Sequence, residues 1–316
     1  MKTKAYNSNT ENKVKDTDVY SIITDKIIEQ LSQGIIPWQK PWVGGDALAI
    51  SYSSRKPYSM LNQLLLGKPG EWLTWGLIQQ LGGKVKKGAK SSICVWTKTE
   101  LKKVETENAE TGEKEESVET RRYLKWYRVW HLDDCEGIPT KIEAVGANPN
   151  LQPIDEAEKV INAYVERETP DGFSFINNRE SASAYYSPSM DQVVVPMLSQ
   201  YQVTEEYYST AFHELTHSTM KASRCDRTAE NKIAAFGDED YSREELVAEM
   251  GAAFLCNKTG LNSEKAFKNS VAYIQHWIKA LQNDKKMISW AAARAAKAAN
   301  YILTGEKTTE NAPVNA

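Results

Sequence analysis

His213-Glu214-Leu215-Thr216-His217 lies within residues 204–222, a stretch whose apolar side chains recur at helical spacing. On a helix, positions i and i+4 share one face a turn apart, so both imidazoles can meet a single metal ion. Glu214 stands about 100° further round, close enough for its carboxylate to take a proton from a water activated by that metal. The chain holds four histidines in 316 residues, so two of them in this relation around a glutamate form a specific signal. The motif also constrains the architecture. A catalytic site of this kind needs a third protein ligand and one open coordination position, so another element must pack on the histidine face and bring a donor with it.

His131 and His276 qualify by residue type, but each lies outside any partner motif and reads as structural or exposed. The helical stretch at about 241–258 offers more. Glu245 and Glu249 share a face there, flanked by small residues that permit close packing. One carboxylate suits the metal and the other suits the back of a histidine ring. In zincins, the downstream pattern is often a Glu, three residues and a second acid preceded by Ala; Glu245 to Glu249 with Ala248 resembles it, which implies Glu245 on the metal and Glu249 behind it, with the exchanged roles left open. Glu244 points off that face toward solvent. The order, two histidines around a glutamate and then a downstream helical glutamate, resembles gluzincin-type metallopeptidases. The implied cofactor is zinc, with Mn2+ or Co2+ as other divalent occupants, and the implied reaction is peptide hydrolysis with Glu214 as general base. The strand Gln192–Val195 reads either as an edge that pairs with an extended peptide or as a plain core strand.

A length of 316 residues exceeds the roughly 100–200 of an average domain, so two domains are expected. Apolar residues at 41% and charged residues at 26% are ordinary for a folded chain and exclude global disorder and a collagen-like repeat. The longest apolar runs, such as Leu64–Leu66 and Val193–Val195, fall far short of the roughly 20 residues that span a bilayer, and no membrane partner is expected. The first residues lack the apolar stretch of a signal peptide, and the four cysteines are scattered. Cytoplasmic residence with free thiols follows as the expectation.

Residues 1–17 read as a disordered leader. An amphipathic helix then runs from Val19 to Leu31 and stops at Gly34, followed by short helices at Tyr58–Leu66 and Trp72–Leu81. From Lys84 the period changes, and Ser92–Trp96 and Tyr123–Leu132 read as strands. Between them, residues 99–120 carry eight acidic residues and three lysines, a solvated hairpin extension or loop. The first domain is thus α+β over 18–145, and 146–153 is a linker. The second domain, 154–304, opens with a helix near Asp155–Arg167, continues with three short strands, and ends in helices at about 204–222, 241–258, 263–283 and 286–303. That too is α+β. Residues 305–316 form a flexible tail.

Seven of the nine tryptophans precede residue 150. Outside the acidic insertion, residues 18–145 hold fifteen Lys and Arg against nine Asp and Glu. With a net charge of −3 for the whole chain, nucleic-acid binding requires a local patch. Lys84, Lys86, Lys87 and Lys90, clustered around Gly82, Gly83 and Gly88 beside aromatic strands, offer cations for phosphates and rings for unstacked bases.

Several separated motifs extend the picture. Trp38 and Trp42 among prolines, Ser53-Ser54-Arg55-Lys56-Pro57-Tyr58 to Asn62, Trp72-Leu73-Thr74-Trp75, Gly82 to Gly88 and Tyr127 to Gly137 resemble the N-terminal domain of ArdC-type antirestriction proteins. Ala184-Tyr185-Tyr186, Asp191 to Pro196, His213 to His217, Arg224, Tyr241 to Leu255 and Tyr273 to Leu281 are similar to that family's zincin-like metallopeptidase domain. The resemblance covers roughly residues 18–303. It implies a mobile-element protein that binds single-stranded DNA and protects incoming DNA from restriction, with a host restriction or other protein as its substrate. Matching positions imply Trp42, Tyr58, Lys84, Lys86 and Lys87 as DNA contacts. After the metal motif this chain has Ser218-Thr219-Met220-Lys221 where relatives commonly carry a Trp-Thr-Gly-His-like stretch. Two other readings stay open: a DNA-binding protein whose metal site is structural or vestigial, and an ordinary intracellular zinc peptidase.

Overall fold

The computed structural model describes residues 18–39, 48–107, 114–142, 153–201, 203–227, 239–261 and 271–307. The expected leader 1–17, linker residues 146–152 and Trp42 lie outside them.

Helix α1 (Val19–Ser32) starts where Asp18 accepts the N–H of Tyr20, a side-chain cap on one of the donors left open at a helix start. The strands β1 (Ala49–Ser51), β2 (Gly70–Thr74), β4 (Ser92–Glu107) and β5 (Lys114–His131) form one sheet in the order β1-β2-β5-β4. β1 and β2 are parallel, and the other pairs are antiparallel. Helices α2 (Met60–Leu66) and α3 (Trp75–Gln80) flank this sheet, and β3 (Lys84–Val85) pairs with β6 (Cys135–Glu136) beside it. Two side-chain amides act as surrogate strands. Asn62 donates to the Val95 carbonyl and accepts its N–H, both at 2.8 Å. Gln63 does the same to Ala49, both at 2.9 Å. These bonds satisfy buried amides and fasten α2 to both β1 and β4.

Trp72–Leu81 is not one helix. Gly70–Thr74 is a strand, and only Trp75–Gln80 is helical. β2 lies between β1 and β5, so Trp72 and Leu73 are buried on opposite faces, and a strand covered on both faces carries no alternating pattern to announce it. The acidic stretch takes the hairpin form. β4 and β5 stay in register from Ser92↔Val129 to Glu107↔Lys114.

In the second half, α4 (Pro153–Glu168) precedes a sheet of β7 (Ser174–Ile176), β8 (Tyr185–Ser187) and β9 (Gln192–Val194), ordered β7-β9-β8. β9 is therefore the central strand, paired on both sides. Of the two readings of Gln192–Val195, the core strand holds and the edge does not: the edges are β7 and β8. Helices α5 (Thr204–Ser218), α6 (Glu239–Thr259), α7 (Val271–Asn283) and α8 (Met287–Thr304) complete the chain. Both halves mix helices and strands, so the architecture is α+β.

One apolar core belongs to the second half and gathers Tyr164, Phe173, Val193, Phe212, Leu215 and Ile302. Another joins the two halves, packing Ile23, Ile27 and Trp38 with Met250, Trp277 and Ile288. The four cysteines are free thiols. Among the described residues no helix is long and apolar enough to cross a membrane.

Candidate metal centre

α5 takes its position from its apolar face. Tyr207, Tyr208, Ala211, Phe212 and Leu215 are buried in the second-half core, and Glu205 and Glu206 occupy the first turn, where carboxylates interact favourably with the helix dipole. The opposite side carries the motif. His213 Nε2 and His217 Nε2 lie 3.1 Å apart. Glu245, on α6, approaches both at 3.5 Å, one carboxylate oxygen to each ring. One donor atom from each of these three residues falls within 4.8 Å of the other two. α6 comes close because it meets α5 through small residues: a Cβ on Gly251 would stand 2.6 Å from Thr216 Cγ2.

This set fits a divalent cation. Two imidazoles and a carboxylate are the donors of a zincin-type site, and a tetrahedral ion with metal–nitrogen bonds of about 2.0–2.1 Å would hold its two nitrogens roughly 3.3 Å apart. The charge balance agrees. Burial would lower the His217 pKa, but Glu244 and Glu245 beside it outweigh that and push it up to about 10. The His213 pKa is raised too: burial opposes the shift, and Glu245, Glu214 and Glu249 favour it. Burial would raise the Glu245 pKa, yet the two imidazoles hold it well below the usual carboxylate range. The pocket is organised around positive charge.

Glu214 is buried and close enough to both imidazoles for its charge to raise their pKa values. Glu249 exerts the same influence on His213. The expectation for Glu244 is corrected. It is 6% exposed, its carboxylate lies 3.5 Å from His217 Nδ1, and Arg227 grips it with two bonds of 2.6 and 3.1 Å. Burial would raise its pKa, but Arg227 and His217 bring it down to about 2.

The turn after α5 is clamped by two buried arginines. Arg227 also donates to Thr219 Oγ1 and the Thr216 carbonyl. Arg224 bonds both oxygens of Asp191, Glu168 Oε2 and the Ser218 carbonyl at 2.7–2.8 Å. The motif matched Arg224 and Asp191 without assigning a role, and no sequence spacing links Arg227 to Glu244. His131 is structural: its Nε2 meets the Pro69 carbonyl at 2.8 Å and its Nδ1 accepts the Asp133 N–H. His276 is exposed beside Trp277.

In the first half, Lys84, Lys86 and Lys87 are exposed around the β3 turn, and Lys86 Nζ donates to the Asp133 carbonyl. Tyr58 is 7% exposed and packs with Trp72, Cys94 and Val129, so most of its ring is buried. Among the described residues, Trp75 (51% exposed), Trp96 and Trp126 are the exposed indoles, and the sequence did not single them out from the core tryptophans.

Residues 17–130 match the N-terminal domain of anti-restriction factor ArdC, and residues 172–294 match a zincin-like metallopeptidase domain. A metal-free crystal structure of the antirestriction ArdC protein from the R388 plasmid is 31% identical, with a TM-score of 0.62, over 90% of this chain and 96% of that one. The chain belongs to the ArdC antirestriction family. The Mn(II)-bound ArdC structure is similar at 29% identity and a TM-score of 0.64, covering 90% and 97% of the two chains. Two Escherichia coli proteins named DNA primase TraC are 30% and 28% identical over 94% and 90% of this chain. The chain spans only 20% and 27% of their lengths. Protein y4eC of Sinorhizobium fredii is 27% identical over 90% of this chain and 92% of its own. The family resemblance read from the motifs is thus borne out, and a zincin-like domain implies a divalent metal.

Proposed function

We propose that this chain binds single-stranded DNA and protects incoming DNA from restriction, and that its second half is a metal-dependent peptidase acting on a host protein. The observation that carries the peptidase reading is the convergence of His213, His217 and Glu245 on one point beside a buried Glu214. His213, His217 and Glu245 would hold the metal, zinc or Mn2+, and Glu249 would steady His213. When bound, such an ion acidifies water and polarises a carbonyl. Glu214 takes a proton on its carboxylate and returns it to the leaving amine. Glu244 accepts the Nδ1 proton of His217, which keeps the Nε2 lone pair turned toward the ligand point. β8 is the sheet edge packed near α5 and offers a backbone along which an extended peptide could align. The exposed lysines of the β3 turn and the open indoles support the DNA reading through phosphate charge and base stacking.

The test is transfer of an unmodified plasmid into a restriction-proficient host. Glu214→Gln should abolish protection while leaving oligonucleotide binding unchanged. Protection that survives Glu214→Gln but disappears when Lys84, Lys86 and Lys87 become Ala would show that hydrolysis plays no part in it.

A further inference from the structure

The segment Ser53 to Pro57 carries part of the family resemblance but has no role in the metal centre or the β3 turn. Its two serines help to wall a cavity of about 310 Å3 on the first-half sheet, at the lower end of the roughly 300–1,000 Å3 of ligand clefts. Hydroxyls dominate the lining: Ser51, Ser53 and Ser54 from the end of β1 and its turn, Thr74 at the end of β2, and the phenols of Tyr58 and Tyr127. The remaining wall is apolar and includes the indole of Trp96. No charged side chain stands among the described residues that line the cavity. Trp96 is 36% exposed, and among the described residues no cation lies over its ring.

The serine wall is pinned from behind. The Ser51 N–H donates to the Lys56 carbonyl at 3.0 Å, and the Arg55 N–H returns to the Ser51 carbonyl at 2.9 Å. Arg55 has a φ of 60°, in the left-handed region that a residue other than glycine occupies at a cost. Its guanidinium is anchored there by the buried Glu71 carboxylate and by the Lys141 carbonyl at 3.2 Å. The Ser53 hydroxyl is held 3.1 Å from that of Ser51, while Ser53 and Ser54 remain exposed at the rim. Further in, Tyr58 bonds both Tyr127 and Ser51. Burial pushes the Tyr127 phenol up to about 12 and the Tyr58 phenol well above its ordinary value, so both keep their protons.

We infer that this cavity receives one base of a single DNA strand. An uncharged lining rejects a phosphate or a carboxylate, which would lose its water without gaining a counter-charge. Hydroxyls donate and accept alike, which suits the mixed edge of a nucleobase, and the uncovered Trp96 indole offers ring surface for stacking. A duplex would have to unpair and unstack a base to deliver it, so a strand that is already single enters at lower cost. The inference rests on the DNA-binding reading above and gives it a base-contacting subsite apart from the lysines of the β3 turn.

The experiment titrates the full chain against two fluorescein-labelled strands of about 12 nucleotides, a length within the usual range of single-strand sites, with anisotropy read at about 50 mM salt. One strand is wholly abasic, and the other is abasic except for a single central thymine. The thymine should tighten binding about fivefold or more, the lower end for one base stacked on an aromatic side chain. Trp96→Ala, and separately Ser53→Phe, which fills the cavity, should bring that ratio to about one and leave the affinity for the abasic strand unchanged. Ultraviolet cross-linking of the unsubstituted chain to a strand whose single base is 5-iodouracil should label Trp96 or Tyr127, a readout independent of how the variants fold. Equal binding of the two strands, a ratio that survives both variants, or labels confined to Trp75 or the β3 turn would overturn the pocket while leaving DNA binding intact. Free thymidine that competes as well as the one-base strand would overturn the strand as the ligand in favour of a nucleoside. Absence of oligo(dT) binding by the unsubstituted chain at low salt would overturn both the pocket and the DNA-binding reading.

Discussion

At the scale of single residues, the proposed metal site depends on side chains that never reach the metal point. Glu244 couples His217 to Arg227, and all three are largely removed from solvent. Glu244→Gln is expected to lower metal affinity about ten- to a hundredfold, the usual effect of losing a partner behind a ligating histidine. Leaving Arg227 without its counter-charge should also cost about 3–5 kcal/mol of stability. Chelator competition and urea unfolding measure the two effects separately, and unchanged values in both would remove Glu244 from the site. The second clamp predicts a pH dependence. Burial would raise the Asp191 carboxyl, but bonds from Arg224, Lys221 and Tyr186 hold it below its ordinary value. Glu168 is lowered against its burial by Arg224, Tyr301 and Arg167. A carboxyl depressed in the folded state stabilises fully above its unfolded pKa, about 4, and that contribution is lost as pH falls through the folded value. The unsubstituted chain should therefore lose urea resistance steeply below about pH 4. Arg224→Met should be weaker at pH 7 and show a shallower acid decline, whereas parallel declines would contradict the clamp. His213, Glu214 and His217 were legible because helical period alone relates them, and Glu245 because a downstream helical glutamate follows such a motif in the family it resembles. Glu244 was not, because burial is decided by a partner 17 residues away on another element.

At the scale of elements, the contact between α5 and α6 sets the distance from the histidines to Glu245. Gly251 lies where a Cβ would intrude on the buried Thr216. Gly251→Ala gains about 1 kcal/mol in helix propensity, but overpacking at such a contact costs about 1–3 kcal/mol. The expected net result is destabilisation together with weaker metal binding as Glu245 moves off. Adding Thr216→Ala removes the obstructing atoms and should restore both properties. A double-mutant cycle tests this, and additive effects would mean that the two side chains do not meet. Elements were legible where one face is apolar and the other polar, as in α1 and α5. β2 was misread because its neighbours bury it on both faces. β9 was left between edge and core because strand order depends on pairing partners that a local pattern does not contain.

At the scale of the whole molecule, the shared core makes the halves interdependent. Trp38 meets Trp277 edge-to-face at 5.9 Å, an aromatic contact worth about 0.5–1.5 kcal/mol beyond the buried area. The N-terminal helix packs Ile23 and Ile27 into the cluster that contains Leu281, Ile288 and Ala292. Trp38→Ala should cost about 3–5 kcal/mol and lower a single unfolding transition recorded by both halves. A fragment beginning at Pro153 would expose Trp277, Leu281 and Ile288 as a contiguous apolar surface, and such surfaces drive association. That fragment is expected to elute as aggregates in size-exclusion chromatography and to melt without a sharp transition, even though it retains every residue of the metal centre. A monodisperse fragment with a cooperative melt would show instead that the core between the halves is dispensable, and with it the mechanical link between the first half and the candidate metal site.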